Sequence, residues 1–129
     1  MMRREARIKA MQILYIVDFH KICVEEATSM VFEEEIDELA VELAKRCYAR
    51  LEEIDELIST TLVNYTLDRL NLIDKAIIRL AVSEMLSDEP REVIINEALE
   101  ITKQYSDLGD HKATSFNNRL LDNIHKKLK

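Results

Sequence analysis

The chain has 129 residues, of which 47% are hydrophobic and 33% charged, and its formal net charge at pH 7 is −7. This balance excludes an intrinsically disordered chain, and no apolar run approaches the length of a membrane span. With one glycine and one proline, too few for the turns of a β-rich fold, the sequence predicts one nearly all-helical domain.

The first predicted helix runs over residues 3–19. Arg4, Arg7 and Tyr15 share a sector that is expected to lie off the apolar face. A ring beside guanidinium groups suits unpaired RNA, because bases stack on the ring and arginines hold phosphates. The alternative, which the residues alone favour, is a Tyr15 that covers a neighbouring helix and arginines that are merely solvated. Residues recurring at helical spacing form the apolar face: Ala6, Ala10, Ile13, Leu14 and Val17.

The middle of the chain is predicted to hold a short helix over 24–32 and a long helix over 34–58. Apolar residues on the long helix recur at spacings of three and four, as in the core of a helical bundle. They are Ile36, Leu39, Ala40, Leu43, Cys47, Leu51, Ile54, Leu57 and Ile58. A shorter helix around 61–64 and a joint between two halves are expected next, because 59–71 is rich in Thr, Ser and Asn.

Three further helices are predicted in the C-terminal half. Asn71 is expected to cap the first, with Asp74 in its first turn. Ser87 or Asp88 is expected to cap the second, with Pro90 in the first turn. The last is expected over 112–127. The predicted core residues of the first and last of these helices are Ile73, Ala76, Ile77, Leu80, Ala81 and Met85, and Phe116, Leu120, Leu121 and Ile124.

Catalytic and metal chemistry have little support in the sequence. A single glycine excludes a Gly-rich phosphate loop, and no histidines or cysteines stand at metal-ligand spacing, so no enzyme, metal or cofactor is predicted. Cys23 and Cys47 are expected to be reduced core residues of a cytoplasmic protein. Both chain ends are basic and the middle is acidic, which solvated helix surfaces explain better than a polyanion site does.

Four segments carry a family likeness: RREARIKAMQILY, LDRLNLIDKAIIRLAVSEML, PREVIINEALEITKQY and SFNNRLLDNI. In order and approximate spacing they resemble the NusB family of bacterial transcription antitermination factors. The third is the strongest match, to the family segment P-x-x-V-x-I-N-E-A-x-E-x-A-K. The resemblance implies an all-α, NusB-like bundle of six to seven helices within one domain, 1–129. Two small helical subdomains are expected, at about 1–58 and 59–129.

The resemblance also implies a function in RNA binding and no catalysis. Family members bind a small ribosomal protein, NusE, and the pair binds boxA, a single-stranded RNA element of ribosomal RNA leaders. With other Nus factors on RNA polymerase, this complex suppresses premature termination. No membrane partner is implied. The matching positions imply RNA contacts from Arg3, Arg4, Arg7, Gln12, Tyr15, Lys75 and Phe116, and partner contacts from Tyr15 and Asp74.

Asn96 and Glu97 match the family's NEA motif. Asn96 is expected to be half-buried and to form a structural hydrogen bond rather than a ligand contact, because most side-chain hydrogen bonds go to the protein itself. Glu97 could pair with a basic residue or stay solvated.

Two departures from the family pattern bear on RNA binding. Glu5 places an acid inside the arginine-rich stretch, which should weaken phosphate binding. Arg119 stands where the family has a glycine, so close backbone approach is lost, and the loop before it is longer. These departures leave open a diverged helical protein-interaction adaptor of the same fold that has lost boxA RNA binding. The fold also occurs as the non-catalytic part of some RNA cytosine methyltransferases, but this chain has no methyltransferase domain.

Overall fold

The computed structural model describes residues 3–87 and 90–129. Within these ranges the regular secondary structure is all helical and contains no strand, which confirms the predicted all-α class. The helices are α1 (Arg3–His20), α2 (Val24–Val31), α3 (Glu38–Ala49), α4 (Leu51–Thr61), α5 (Leu72–Ser87), α6 (Arg91–Tyr105) and α7 (Lys112–Leu128), with a 3-10 turn (Leu67–Arg69) before α5. None of the described helices is both long and apolar enough to cross a bilayer.

Helix α5 lies at the centre of the bundle and contacts α1, α3, α4, α6 and α7. Ten of its sixteen residues are buried, because neighbouring helices cover it on several sides. The predicted apolar face of α1 is confirmed, and so is that of α5 except for Ile73, which is only partly buried. The cap is also as predicted, since Asn71 accepts a hydrogen bond from the Asp74 amide at 2.8 Å. The division into two subdomains stays a prediction.

The long helix predicted over 34–58 is instead two helices that meet at Arg50. The backbone there has φ −120° and ψ 25°, outside the helical region. The Arg50 amide donates to the Cys47 carbonyl at 3.2 Å, and its own carbonyl accepts from Ile54 at 2.9 Å. The break allows α4 to pack on α5 and α7. Helix α3 begins only after Asp37, so Ile36 lies outside it and is 54% exposed.

The joints between helices differ from the predictions at two further places. The helix predicted over 61–64 is wrong, because Thr61 ends α4 and Asn64 is left-handed with φ 57°. Pro90 is the N-cap of α6 and not a first-turn residue. The alternative cap Asp88 lies outside the described residues, and the Ser87 hydroxyl instead donates to the carbonyl of Ser83 within α5 at 3.3 Å.

Two further residues predicted for the core are at the surface, as Ile36 is. Cys23 is exposed, whereas Cys47 is buried as predicted. Phe116 is 37% exposed. The buried face of α7 centres near Leu121, and five residues at 100° each place Phe116 about 140° away from it.

Candidate nucleic-acid interface

The N-terminal arginines of α1 face two glutamates on neighbouring helices. The innermost, Arg7, is buried and binds Glu84 of α5, with Nε 2.8 Å from Oε2 and Nη2 3.0 Å from Oε1. The Glu84 side chain is only 2% exposed. This buried ion pair fixes α1 on α5, and removing one partner of such a pair typically costs about 3–5 kcal/mol.

The expectation that Arg7 lies off the buried face is therefore wrong. Its position is at the edge of the apolar stripe of α1, and α5 covers that edge with a carboxylate. A glutamate inside the otherwise apolar face of α5 was the sequence signal for such a partner, because a buried carboxylate requires a cation or hydrogen-bond donors. Arg7 is thus buried and paired with Glu84 inside the protein, which does not favour the phosphate contact predicted for it.

The next arginine toward the N-terminus, Arg4, is held by Glu97 of α6. Its Nε and Nη2 donate to the two carboxylate oxygens at 2.9 and 2.7 Å. The hydrogen bonds and charge of Arg4 hold the pKa of Glu97 below its usual value. The Arg4 side chain is 48% exposed, and that of Arg3, whose Nη2 lies 3.9 Å from Glu84, is 58% exposed. Both guanidinium groups therefore remain accessible to a ligand.

The other end of the same sector of α1 is aromatic. Tyr15 stacks on Phe19 with ring centroids 5.8 Å apart and planes within 5°. Half-buried Gln12 and Tyr15 line a shallow cavity of about 220 Å³ with Met11, Ile73 and Tyr105. Arg4 and Tyr15 are eleven residues apart, or about 16 Å along the helix. The structure thus brings Arg4, Gln12 and Tyr15 along one side of α1 that adjoins α6.

The two residues predicted at the start of α5 are tied into the protein. Lys75 Nζ lies 3.8 Å from Asp18 of α1, and its side chain is 12% exposed. Asp74 is buried and accepts from the Ser106 hydroxyl at 2.6 Å and the Asn117 amide at 3.1 Å. Asp74 thereby joins α5, the end of α6 and α7. A direct partner contact from its side chain is not favoured by this geometry.

A second aromatic pair, whose Tyr65 the sequence reasoning missed, forms between the segment that precedes the 3-10 turn and α7. Tyr65 is 41% exposed and Phe116 37%, and their ring centroids lie 5.6 Å apart. Lys112 and Arg119 line an adjoining cavity of about 410 Å³ with Phe116. The only signal for Tyr65 in the sequence was its aromatic ring within a segment, 59–71, that is otherwise rich in Thr, Ser and Asn. Exposed rings beside cations are suited to stacking with unpaired bases, at about 1–3 kcal/mol per base.

The loop before α7 is ordered by one carboxylate. Asp107 accepts from the amides of Gly109 at 2.8 Å and His111 at 3.1 Å, and from the Thr114 hydroxyl. The Thr114 hydrogen bond, with the backbone hydrogen bonds, lowers the pKa of Asp107 to about 2. Gly109 has φ 95° and His111 φ 63°. The loop before α7 is thus held in a defined conformation.

The two residues of the NEA motif have different surroundings. Glu97 is the one that binds within the protein, to Arg4. Asn96 is exposed, and its amide forms no hydrogen bond to any described residue. The structural hydrogen bond expected for Asn96 is therefore wrong, because Asn96 lies on the exposed side of α6.

Reactive or metal-binding groups do not gather in the described part of the chain. Residues 3–87 and 90–129 contain no cluster of three or more His, Cys, Asp or Glu side chains that could hold a metal ion. Burial raises the pKa of the Cys47 thiol to about 12, so it is a poor nucleophile. The exposed arginines can bind phosphates, and the exposed rings can stack on bases.

Comparison with known proteins gives one consistent family. Residues 4–126 match the model of the NusB family. The chain is 42% identical over 127 residues to the transcription antitermination protein NusB of Bacillus subtilis (strain 168), covering 96% of this chain and 95% of that protein. It is 39% identical over 126 residues to the NusB of Listeria innocua, covering 96% of both. A solved crystal structure of antitermination factors NusB and NusE in complex with dsRNA is similar, with TM-score 0.84, 28% identity and coverage of 98% of this chain and 99% of that chain.

Proposed function

This chain belongs to the NusB family, and on that premise we propose that it is an RNA-binding transcription antitermination factor. Together with NusE it binds boxA-like single-stranded RNA in ribosomal RNA leader transcripts. The bound pair joins other Nus factors on RNA polymerase and helps the enzyme to resist termination. The proposed role is recognition in the cytoplasm, without a catalytic step. The similar solved complex contains NusE and double-stranded RNA, so the preference for single strands is part of the proposal.

The observation that carries the proposal is the side of α1 with exposed arginines at one end and stacked rings at the other. Arg3 and Arg4 expose about half of their side chains at the N-terminal end. Tyr15 and Phe19 stack at the C-terminal end. In this proposal the arginines contact phosphates and the rings, with Gln12, contact bases.

The remaining predicted residues take indirect roles or lie at a second position. Phe116, with Tyr65, is proposed to stack a further base beside Arg119. Arg7 and Lys75 are held by carboxylates of the protein, so they are proposed to fix α1 against α5 rather than to contact RNA directly. Asp74 is proposed to shape the surface of this chain that binds NusE, because it fixes the junction of α5, α6 and α7. Tyr15 is proposed to contact NusE directly.

The alternative is a helical adaptor of the same fold that binds a protein partner and has lost boxA RNA. Two observations favour it. Glu97 neutralises Arg4, and Glu5 is exposed beside the arginines of the first turn. Both carboxylates would repel an RNA backbone.

The test is binding of fluorescently labelled boxA-like RNA to the full chain, with and without its cognate NusE. A single strand, a duplex of the same sequence and a scrambled single strand are compared at fixed salt. The proposal expects the boxA strand to bind more tightly than the scrambled strand and more tightly when NusE is present. Equal, weak binding of all three RNAs by a chain that still binds NusE would favour the adaptor.

A further inference from the structure

The carboxylate of Glu97 binds only one edge of the Arg4 guanidinium group. It accepts hydrogen bonds from Nε and Nη2, at 2.9 and 2.7 Å. A guanidinium has five N–H donors, of which this arrangement occupies two. The outer edge, with both hydrogens of Nη1 and one of Nη2, therefore remains free to donate to a second anion.

We propose that Glu97 regulates RNA affinity by cancelling part of the positive charge that Arg4 offers to a phosphate. This inference rests on the proposed RNA-binding function. A phosphate on the outer edge of the guanidinium would lie within a Debye length of the carboxylate, which is about 10 Å at 0.1 M salt. The carboxylate repels that phosphate at low salt, and the repulsion is screened as the salt concentration rises.

The surroundings of Glu97 differ from those of two other acids near the arginines, Glu84 and Glu100. Glu84 is buried and its oxygens are already occupied by Arg7. Glu100 is 48% exposed and pairs with Lys103 at 3.5 Å. Glu97 is 20% exposed and also lies 3.8 Å from Arg7 Nη1. Its negative charge is therefore held in place beside Arg4 and is less screened by water than that of Glu100.

The chain offers a matched control pair on another part of its surface. Arg50 donates to Glu53 at 2.9 and 2.8 Å in the same side-on arrangement, and both residues are at the surface. The position of this pair relative to α1 follows from Asp55, which lies in the same helix as Glu53. Arg79 contacts both Asp55 and Asp18, and Asp18 lies at the C-terminal end of α1. Asp18 is fourteen residues from Arg4, or about 21 Å along the helix. Glu53→Gln thus changes the net charge as Glu97→Gln does, but far from Arg4.

The experiment measures the affinity of labelled boxA-like RNA in the presence of NusE across a salt series from about 50 to 200 mM. Glu97→Gln keeps the side-chain shape and one neutral acceptor. We expect it to bind RNA more tightly and to steepen the slope of log affinity against log salt by up to about 0.7, one ionic contact with a single strand. Over this fourfold salt range, that slope makes the gain in affinity about 2.6-fold larger at the low end.

Two further variants complete the test. Glu97→Asp retains the charge and should leave the slope as in the wild type, and Glu53→Gln should do the same. Thermal melts check that each variant is folded. A folded Glu97→Gln variant whose slope is unchanged or shallower would overturn the inference, while wild-type RNA binding would leave the proposed function standing. A wild-type chain that binds NusE but no RNA would overturn both.

Discussion

Replacing Arg7 with methionine removes the cation that neutralises a buried carboxylate. The Glu84 side chain is 2% exposed and receives three hydrogen bonds from Arg7, two from Nε and one from Nη2. Without them it is a buried charge, and among the described residues the cation that remains beside it is Arg3, 3.9 Å away and half exposed. We expect a loss of about 3–5 kcal/mol in the free energy of unfolding, at the lower end if Arg3 moves in to compensate.

That loss is large for a domain of this size. Total stabilities of single domains are about 5–15 kcal/mol, so the variant should lose a substantial fraction of its stability. For 129 residues, each kcal/mol corresponds to roughly 3–5 °C in Tm, so a decrease of about 10–20 °C is expected. Urea denaturation followed by circular dichroism measures the change, with the slope m used to check two-state unfolding.

A double replacement separates the cost of the isolated charge from the loss of packing. Arg7→Met with Glu84→Leu removes both charges and keeps similar volumes, so it should recover most of the stability lost in Arg7→Met alone. Arg50→Met, which disrupts the exposed pair with Glu53, should cost less than about 1 kcal/mol. The reasoning is refuted if Arg7→Met is as mild as Arg50→Met, or if the double variant is less stable than Arg7→Met.

Three further predictions concern single residues. Asn96 is exposed, so Asn96→Leu should change the urea-unfolding free energy by less than about 0.5 kcal/mol, and a loss above 1 kcal/mol would reveal a buried role. The pKa of the Cys47 thiol is raised to about 12 and the thiol is buried, so iodoacetamide should modify exposed Cys23 in the folded chain and Cys47 only after unfolding; equal rates would contradict this. The pKa of Asp107 is lowered from 3.8 to about 2, so its carboxylate stabilises the fold above pH 3.8 and this contribution is lost as pH falls toward 2. Asp107→Asn should therefore flatten the dependence of the unfolding free energy on pH between those values, and an unchanged dependence would count against the hydrogen bonds assigned to Asp107.

The parts of the fold that followed from the sequence are those set by apolar spacing. The stripe on α1 is buried as predicted because that helix has one dominant apolar face. The predicted residues of α5 other than Ile73 are buried because neighbouring helices cover that helix on several sides. The cap at Asn71 followed from side-chain chemistry that acts within a single turn. Local periodicity and capping were sufficient in both cases.

The parts that could not be predicted depend on tertiary contacts. The break at Arg50 has no glycine or proline to mark it, and apolar spacing continues across it, but α4 gains contacts with α5 and α7 by turning there. The burial of Arg7 depends on Glu84, which is 77 residues away along the chain. Phe116 has an apolar side chain, but the neighbouring Asn117 occupies the buried position, where its amide nitrogen donates to Asp74 and Thr102.

The exposed arginines of α1 are the most direct point at which to test RNA recognition. Arg3→Ala with Arg4→Ala is compared with Arg50→Ala in a salt series of RNA binding in the presence of NusE, with thermal melts as the folding control. If Arg3 and Arg4 each contact a phosphate, the double variant should flatten log affinity against log salt by about 1.4, while Arg50→Ala leaves it unchanged. A folded double variant with the affinity and slope of the wild type would contradict the RNA-binding role of this helix.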